Sequence, residues 1–122
     1  MYPLKLISPL KDYIWGGTKL KEEFNKQTDL SKVAESWQLS CHKDGSSVIA
    51  NGEFAGKTLP EYIEANGRAV LGSDCDAFEN FPILIKLIDA RDNMSVQVNA
   101  NKEYEIRVEG ELGAGRNTAV WL

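Results

Sequence analysis

Apolar positions fall in short bursts along the chain, separated by turn-forming residues, and most bursts are too brief for helices. Leu4-Lys5-Leu6-Ile7 reads as a short strand, and Pro9 restricts any continuation to an edge or a bend. Two glycines follow a tryptophan in Ile14-Trp15-Gly16-Gly17, so the backbone there must turn tightly or pack closely. Thr18 is placed to cap a short helix carrying Leu20 and Phe24 at i, i+4. Ser36 to His42 alternates in part. Lys43-Asp44-Gly45-Ser46 is a turn signal, Ser47-Val48-Ile49-Ala50 a returning strand, and Asn51-Gly52 a second turn. Thr58-Leu59-Pro60-Glu61 opens a helix with a capping box: the Thr58 hydroxyl accepts from the Glu61 N–H, and the Glu61 carboxylate accepts from the Thr58 N–H. Pro60 costs little in a first turn. Leu59, Tyr62 and Ile63 form the stripe, and Asn66-Gly67 is the stop.

The most hydrophobic stretch is Phe81 to Ala90, Ile-rich and short, which predicts a buried strand. Lys86 sits within it and needs a partner or a solvent-filled pocket. After a turn at Arg91-Asp92-Asn93, Met94 to Asn99 alternates cleanly as a second strand. Glu109 to Gly115 is a glycine-rich loop, and Thr118 to Leu122 a last strand. No repeat, low-complexity tract or linker divides the chain. The expectation is one domain over 1–122, mainly β, with two or three short α-helices.

Composition narrows the function. The 122 residues carry 14 Lys plus Arg against 18 Asp plus Glu, a net charge of −4, too few cations for non-specific nucleic-acid binding. No apolar run is long enough for a membrane span, and Met1-Tyr2-Pro3-Leu4-Lys5 lacks a secretory layout, so a cytoplasmic protein with no membrane partner is expected. His42 is the only histidine, which excludes a mainly imidazole zinc site within one copy. It follows Cys41, but neighbours on a strand point to opposite faces, so a structural thiol is expected rather than a Cys–His nucleophile. Trp15, Trp37 and Trp121 read chiefly as core anchors.

One strand face, Ser95-Gln97-Asn99, carries three hydrogen-bonding side chains, with Lys86 on the strand before it. Two readings stay open: an ordinary solvated sheet face, or a site for an anionic or polyhydroxylated ligand.

At these residues the chain resembles a known family. Phe81 to Ala90 and Ser95-Val96-Gln97-Val98 resemble the metal-site segment of type I mannose-6-phosphate isomerases, in their short bacterial form. Ile14-Trp15-Gly16-Gly17, Glu35-Ser36-Trp37, Glu103-Tyr104 and Gly110-Glu111-Leu112-Gly113 match further motifs in the same order. The resemblance implies a cupin-like, jelly-roll β-sandwich portion. It implies a zinc-dependent interconversion of mannose 6-phosphate and fructose 6-phosphate, with the chain corresponding to the family's N-terminal part.

Carried over by position, Gln97 matches a metal ligand, while Asn99 stands where the family has His. Thr118 stands for a ligand Glu, and a slip of one would put Ala119 there. Arg116 takes the place of a catalytic-side Lys. Lys86 and Ser95 match substrate-side positions, and Trp15 is a candidate substrate contact. Gln97, Asn99 and Thr118 are neutral donors that poorly offset the dehydration of a dication, so zinc is not expected to be retained. The expectation is a truncated or engineered, catalytically impaired derivative. The alternative is a non-catalytic sugar-phosphate-binding or scaffold domain. The apolar end Ala119-Val120-Trp121-Leu122 suggests an edge that pairs with a second copy in a homodimer.

Overall fold

The structure, a computed structural model, describes residues 2–94. The expected strands at 95–99 and 118–122, and the candidate positions Ser95, Gln97, Asn99, Arg116 and Thr118, lie outside the described residues.

The described chain is mainly β, with seven short strands and two α-helices. The strands are β1 (Leu6–Ile7), β2 (Leu10–Lys11), β3 (Glu35–Leu39), β4 (Cys41–His42), β5 (Gly45–Ser46), β6 (Val48–Ile49) and β7 (Ile85–Ile88). The helices are α1 (Lys19–Glu22) and α2 (Leu59–Asn66), and two 3₁₀ turns follow at Arg68–Leu71 and Ser73–Cys75. They form three antiparallel sheets, ordered β1-β6, β2-β3-β7 and β4-β5. No described helix is long and apolar enough to cross a membrane.

The turn at Lys43-Asp44 closes a hairpin of β4 and β5, as the turn signal predicts. The returning segment leaves that hairpin: β6 pairs with β1, Leu6 opposite Ile49 and Ile7 opposite Val48. Asn51 secures this closure, its carboxamide accepting the Lys5 N–H at 2.7 Å and donating to the Pro3 carbonyl at 3.0 Å. Gly52 follows at φ 72°, the left-handed region where glycine carries no Cβ penalty.

The core gathers where β6 meets α2. Ile49, Leu59 and Tyr62 are buried, with Leu4, Leu6, Leu39, Cys41, Phe54 and Ile63 packed around them. Phe54 meets Tyr62 edge to face at 5.0 Å. The capping box forms as the sequence predicts. Glu61 Oε2 accepts the Thr58 N–H at 2.7 Å, and Thr58 Oγ1 accepts the Glu61 N–H at 3.4 Å. Those bonds, from the backbone first and the hydroxyl second, hold the Glu61 carboxyl below its ordinary pKa.

Two expectations need correction. Thr18 occupies the cap position of α1, but its side chain makes no cap bond; the Asp89 carboxylate accepts the Lys19 N–H at 2.8 Å instead. The helix stops at Glu22, so Leu20 is buried while Phe24 stays 53% exposed. The second correction concerns Phe81–Ala90. Only Ile85–Ile88 form a strand, and Ile85 and Ile88 are 50% and 45% exposed. β7 is the edge of its three-stranded sheet, paired on one side by β3, so among the described residues its apolar side chains lack the second layer that burial requires.

Candidate functional site

The site is built on the β2-β3-β7 sheet, and register decides its composition. Lys11 lies opposite Glu35, Glu35 opposite Ile88, and Trp37 opposite Lys86. Directly opposed residues and those two apart share a face. One face therefore carries Lys11, Glu35, Trp37 and Lys86. The other carries Leu10, Ser36 and Leu87.

Lys86, the charge the sequence left without a partner, finds it here. Its ammonium donates to both Glu35 carboxylate oxygens at 3.1 Å. Glu35 is 5% exposed, and its Oε2 also accepts the Trp37 indole N–H at 2.8 Å. The buried carboxylate is thus paired and hydrogen-bonded, the condition under which a charge can leave water. The Lys86 side chain keeps 36% of its exposure. Lys11 approaches the same indole from the other neighbouring strand, its Nζ 4.6 Å from the ring centroid, against 5.9 Å for Lys86. Gly45 of the hairpin closes over this cluster. A Cβ there would lie 3.2 Å from the Trp37 ring and 3.3 Å from Lys11 Nζ.

His42 meets the edge of the Trp37 ring at 5.6 Å, and its Nδ1 accepts the Asp44 N–H at 3.1 Å. Its side chain is 42% exposed, less buried than a core histidine. Cys41 turns instead to the apolar core. Burial pushes its thiol up to about 11, leaving little thiolate at neutral pH. The strand geometry expected for neighbours 41 and 42 therefore holds, and the thiol is structural.

Trp15 is half-buried at the far end of β7. Its carbonyl accepts the N–H groups of Arg91 and Asp92 at 2.9 and 3.1 Å, and Gly16 bridges Ala90. The reason for two glycines is steric. A Cβ on Gly16 would come within 2.7 Å of Ala34, and one on Gly17 within 2.5 Å of the Asp89 carboxylate. The Tyr13 ring packs beside Trp15, its centroid 5.6 Å from that of Trp15. Burial raises the Tyr13 phenol above its ordinary pKa, and the negative charges of Glu35 and Asp44 add to this, so it stays a hydrogen-bond donor.

Of the sequence candidates, Lys86 thus lies on β7, and Trp15 lies in a turn held to the residues just past that strand's end. Glu35, Lys11 and Tyr13 join them without having been singled out. The signal for Glu35 was present in the sequence: an acid inside the apolar run Val33-Ala34-Glu35-Ser36-Trp37 needs a cation, as Lys86 needs an anion. Among the described residues, no group of three or more His, Cys, Asp or Glu side chains could hold a metal ion.

Comparison with known proteins bears on this geometry. A family model described as the catalytic domain of type I phosphomannose isomerase matches residues 3–111. The mannose-6-phosphate isomerase of Streptococcus mutans is 39% identical over 111 residues, 91% of this chain and 34% of that protein. The crystal structure of the mannose 6-phosphate isomerase from Bacillus subtilis superposes with a TM-score of 0.78 at 36% identity, over 93% of this chain and 35% of that one. A histidine-to-glutamine mutant of phosphomannose isomerase from Salmonella typhimurium gives 0.69 at 29% identity, over 82% and 26%. The chain spans about a third of the length of the relatives it matches.

Proposed function

The chain belongs to the type I phosphomannose isomerase catalytic-domain family, and from that premise we propose that its charged sheet face binds a hexose 6-phosphate without turning it over efficiently. The observation that carries the reading is the Lys86–Glu35 pair at 3.1 Å, an ammonium held in place by a buried carboxylate yet open on one side. Such a cation suits hydroxyl or phosphate oxygens. Tyr13 adds a neutral donor, and Trp15 an apolar plane for the sugar ring. Ser95, placed after Met94, belongs to the same reading as a further hydroxyl donor.

Zinc is the metal the family resemblance implies. When bound it would polarise the sugar carbonyl. The described residues assemble no ligand cluster for it, and Gln97, Asn99 and Thr118 offer neutral oxygens only. These donors do not fit a tightly held dication, so no step is routed through one. Moving a proton between adjacent carbons then falls to Arg116, a base too strongly protonated for that role, and catalysis is impaired.

Calorimetric titration with mannose 6-phosphate tests the binding half, and release of heat with a thermal shift is the expected result. A silent titration would leave the scaffold reading. A coupled assay with added Zn²⁺ tests the other half: turnover above blank would overturn the impairment, and elemental analysis after chelation reads zinc directly. Self-association through 119–122 and a cytoplasmic location complete the proposal. Sedimentation as a monomer at tens of micromolar would remove the first, and fractionation of cells making the protein reads the second.

A further inference from the structure

Asp89 is a buried carboxylate one residue past β7, and it does more than close a helix. Its Oδ2 accepts the Lys19 N–H at 2.8 Å, its carbonyl accepts the Gly17 N–H at 3.1 Å, and its own N–H donates to the Ala34 carbonyl at 2.9 Å. The next turn holds the Trp15 carbonyl through Arg91 and Asp92. The segment 15–19 is therefore stapled to the end of the strand that bears Lys86. Gly17 leaves no space for anything but hydrogen beside the carboxylate.

We propose that Asp89 is a positioning residue that holds segment 15–19, and with it Trp15, in place against the end of the strand bearing Lys86. The use of this geometry for a sugar phosphate rests on the function proposed above; the positioning itself does not. Asp89 touches no ligand and acts through the backbone of Gly17 and Lys19.

The experiment uses the full chain labelled with 5-fluorotryptophan, whose three resonances are assigned by replacing each Trp with Phe. Asp89→Ala removes the acceptor. Gly17→Ala displaces the same carboxylate from the other side. Asp89→Asn keeps an oxygen able to accept the Lys19 N–H. The expected result is a shifted or broadened Trp15 resonance in the first two, an unchanged Trp37 resonance, and recovery in Asp89→Asn. A Trp15 resonance unmoved by either variant, or Trp15 and Trp37 moving together, would overturn the proposal. Should Asp89→Ala fail to fold, Gly17→Ala and Asp89→Asn carry the same comparison. Mannose 6-phosphate affinity is then expected to fall roughly tenfold when Trp15 is displaced, about 1.4 kcal/mol. An unchanged affinity beside a displaced Trp15 would overturn the role in binding. If the unsubstituted chain does not bind at all, the sugar-phosphate reading falls while the fluorine spectra still judge Asp89.

Discussion

The core around Ile49 and α2 and the face around Glu35 and Lys86 are stabilised in opposite ways. The first is apolar: Ile49, Leu59 and Tyr62 bury hydrocarbon, and the helix carries its own start signal in Thr58 and Glu61. The second buries the carboxylates of Glu35 and Asp89, and each depends on a residue far along the chain. Lys86 pairs with Glu35 across 51 positions, and Asp89 caps Lys19 across 70. An apolar core tolerates imprecision, since dispersion and water exclusion have little directionality. A buried pair does not, because removing one member strands the other. The polar face is therefore the region where geometry must be held closely, and the apolar one the region that tolerates change.

Substitutions can break this contrast. Ile49→Ala should have the largest effect, about 2–5 kcal/mol lost in denaturant unfolding, because the side chain is wholly buried. A loss below about 1 kcal/mol would mean that the apolar cluster is not the main support. Cys41 lies at the edge of that cluster. With its thiol raised from 9.0 to about 11, its thiolate fraction at pH 8 should be roughly a hundredfold below that of an unperturbed cysteine. Alkylation timed by mass spectrometry should be slow to match, and rapid labelling of Cys41 would place it outside the core.

Glu35→Ala should cost about 1–3 kcal/mol, since it orphans the Trp37 indole N–H as well as the Lys86 ammonium. The remaining exposure of Lys86 holds the figure below that of a fully buried pair. Adding Lys86→Met should recover part of the loss in a double-mutant cycle, and strict additivity would show that the two groups are not coupled. Thr58→Ala should cost about 1 kcal/mol by removing one capping acceptor, read as a lower unfolding midpoint. The Glu61 carboxyl has a folded pKa below its unfolded one. Its contribution is thus present above the ordinary carboxylate range and lost as pH falls through the lowered value. The difference between the parent and Thr58→Ala should accordingly shrink in acid; a constant gap would detach the box from the titration.

Much of this protein was legible before any coordinates. The capping box, the turn at Lys43-Asp44, the divergence of Cys41 and His42 and the mainly β class all follow from patterns a few residues long. The motifs with Trp15-Gly16-Gly17 and Lys86 pointed to the family. The misplaced features share one cause. Local rules give Thr18 the cap, but Asp89 lies close enough to supply it, and a fixed carboxylate is the stronger acceptor. Hydrophobicity predicts a buried strand over Phe81 to Ala90, but burial depends on what covers a strand, and β7 is a sheet edge among the described residues.

By itself the sequence determined local conformation: where helices start, where turns occur and which side chains share a strand face. Those are set by interactions within a few bonds, or within one period of the backbone. Only the tertiary structure decided which strand lies beside which. That choice put Glu35 next to Lys86 and Asp89 next to Gly17. No local rule contains it, because the energy of a buried charge depends on the group that chain closure brings within about 3 Å.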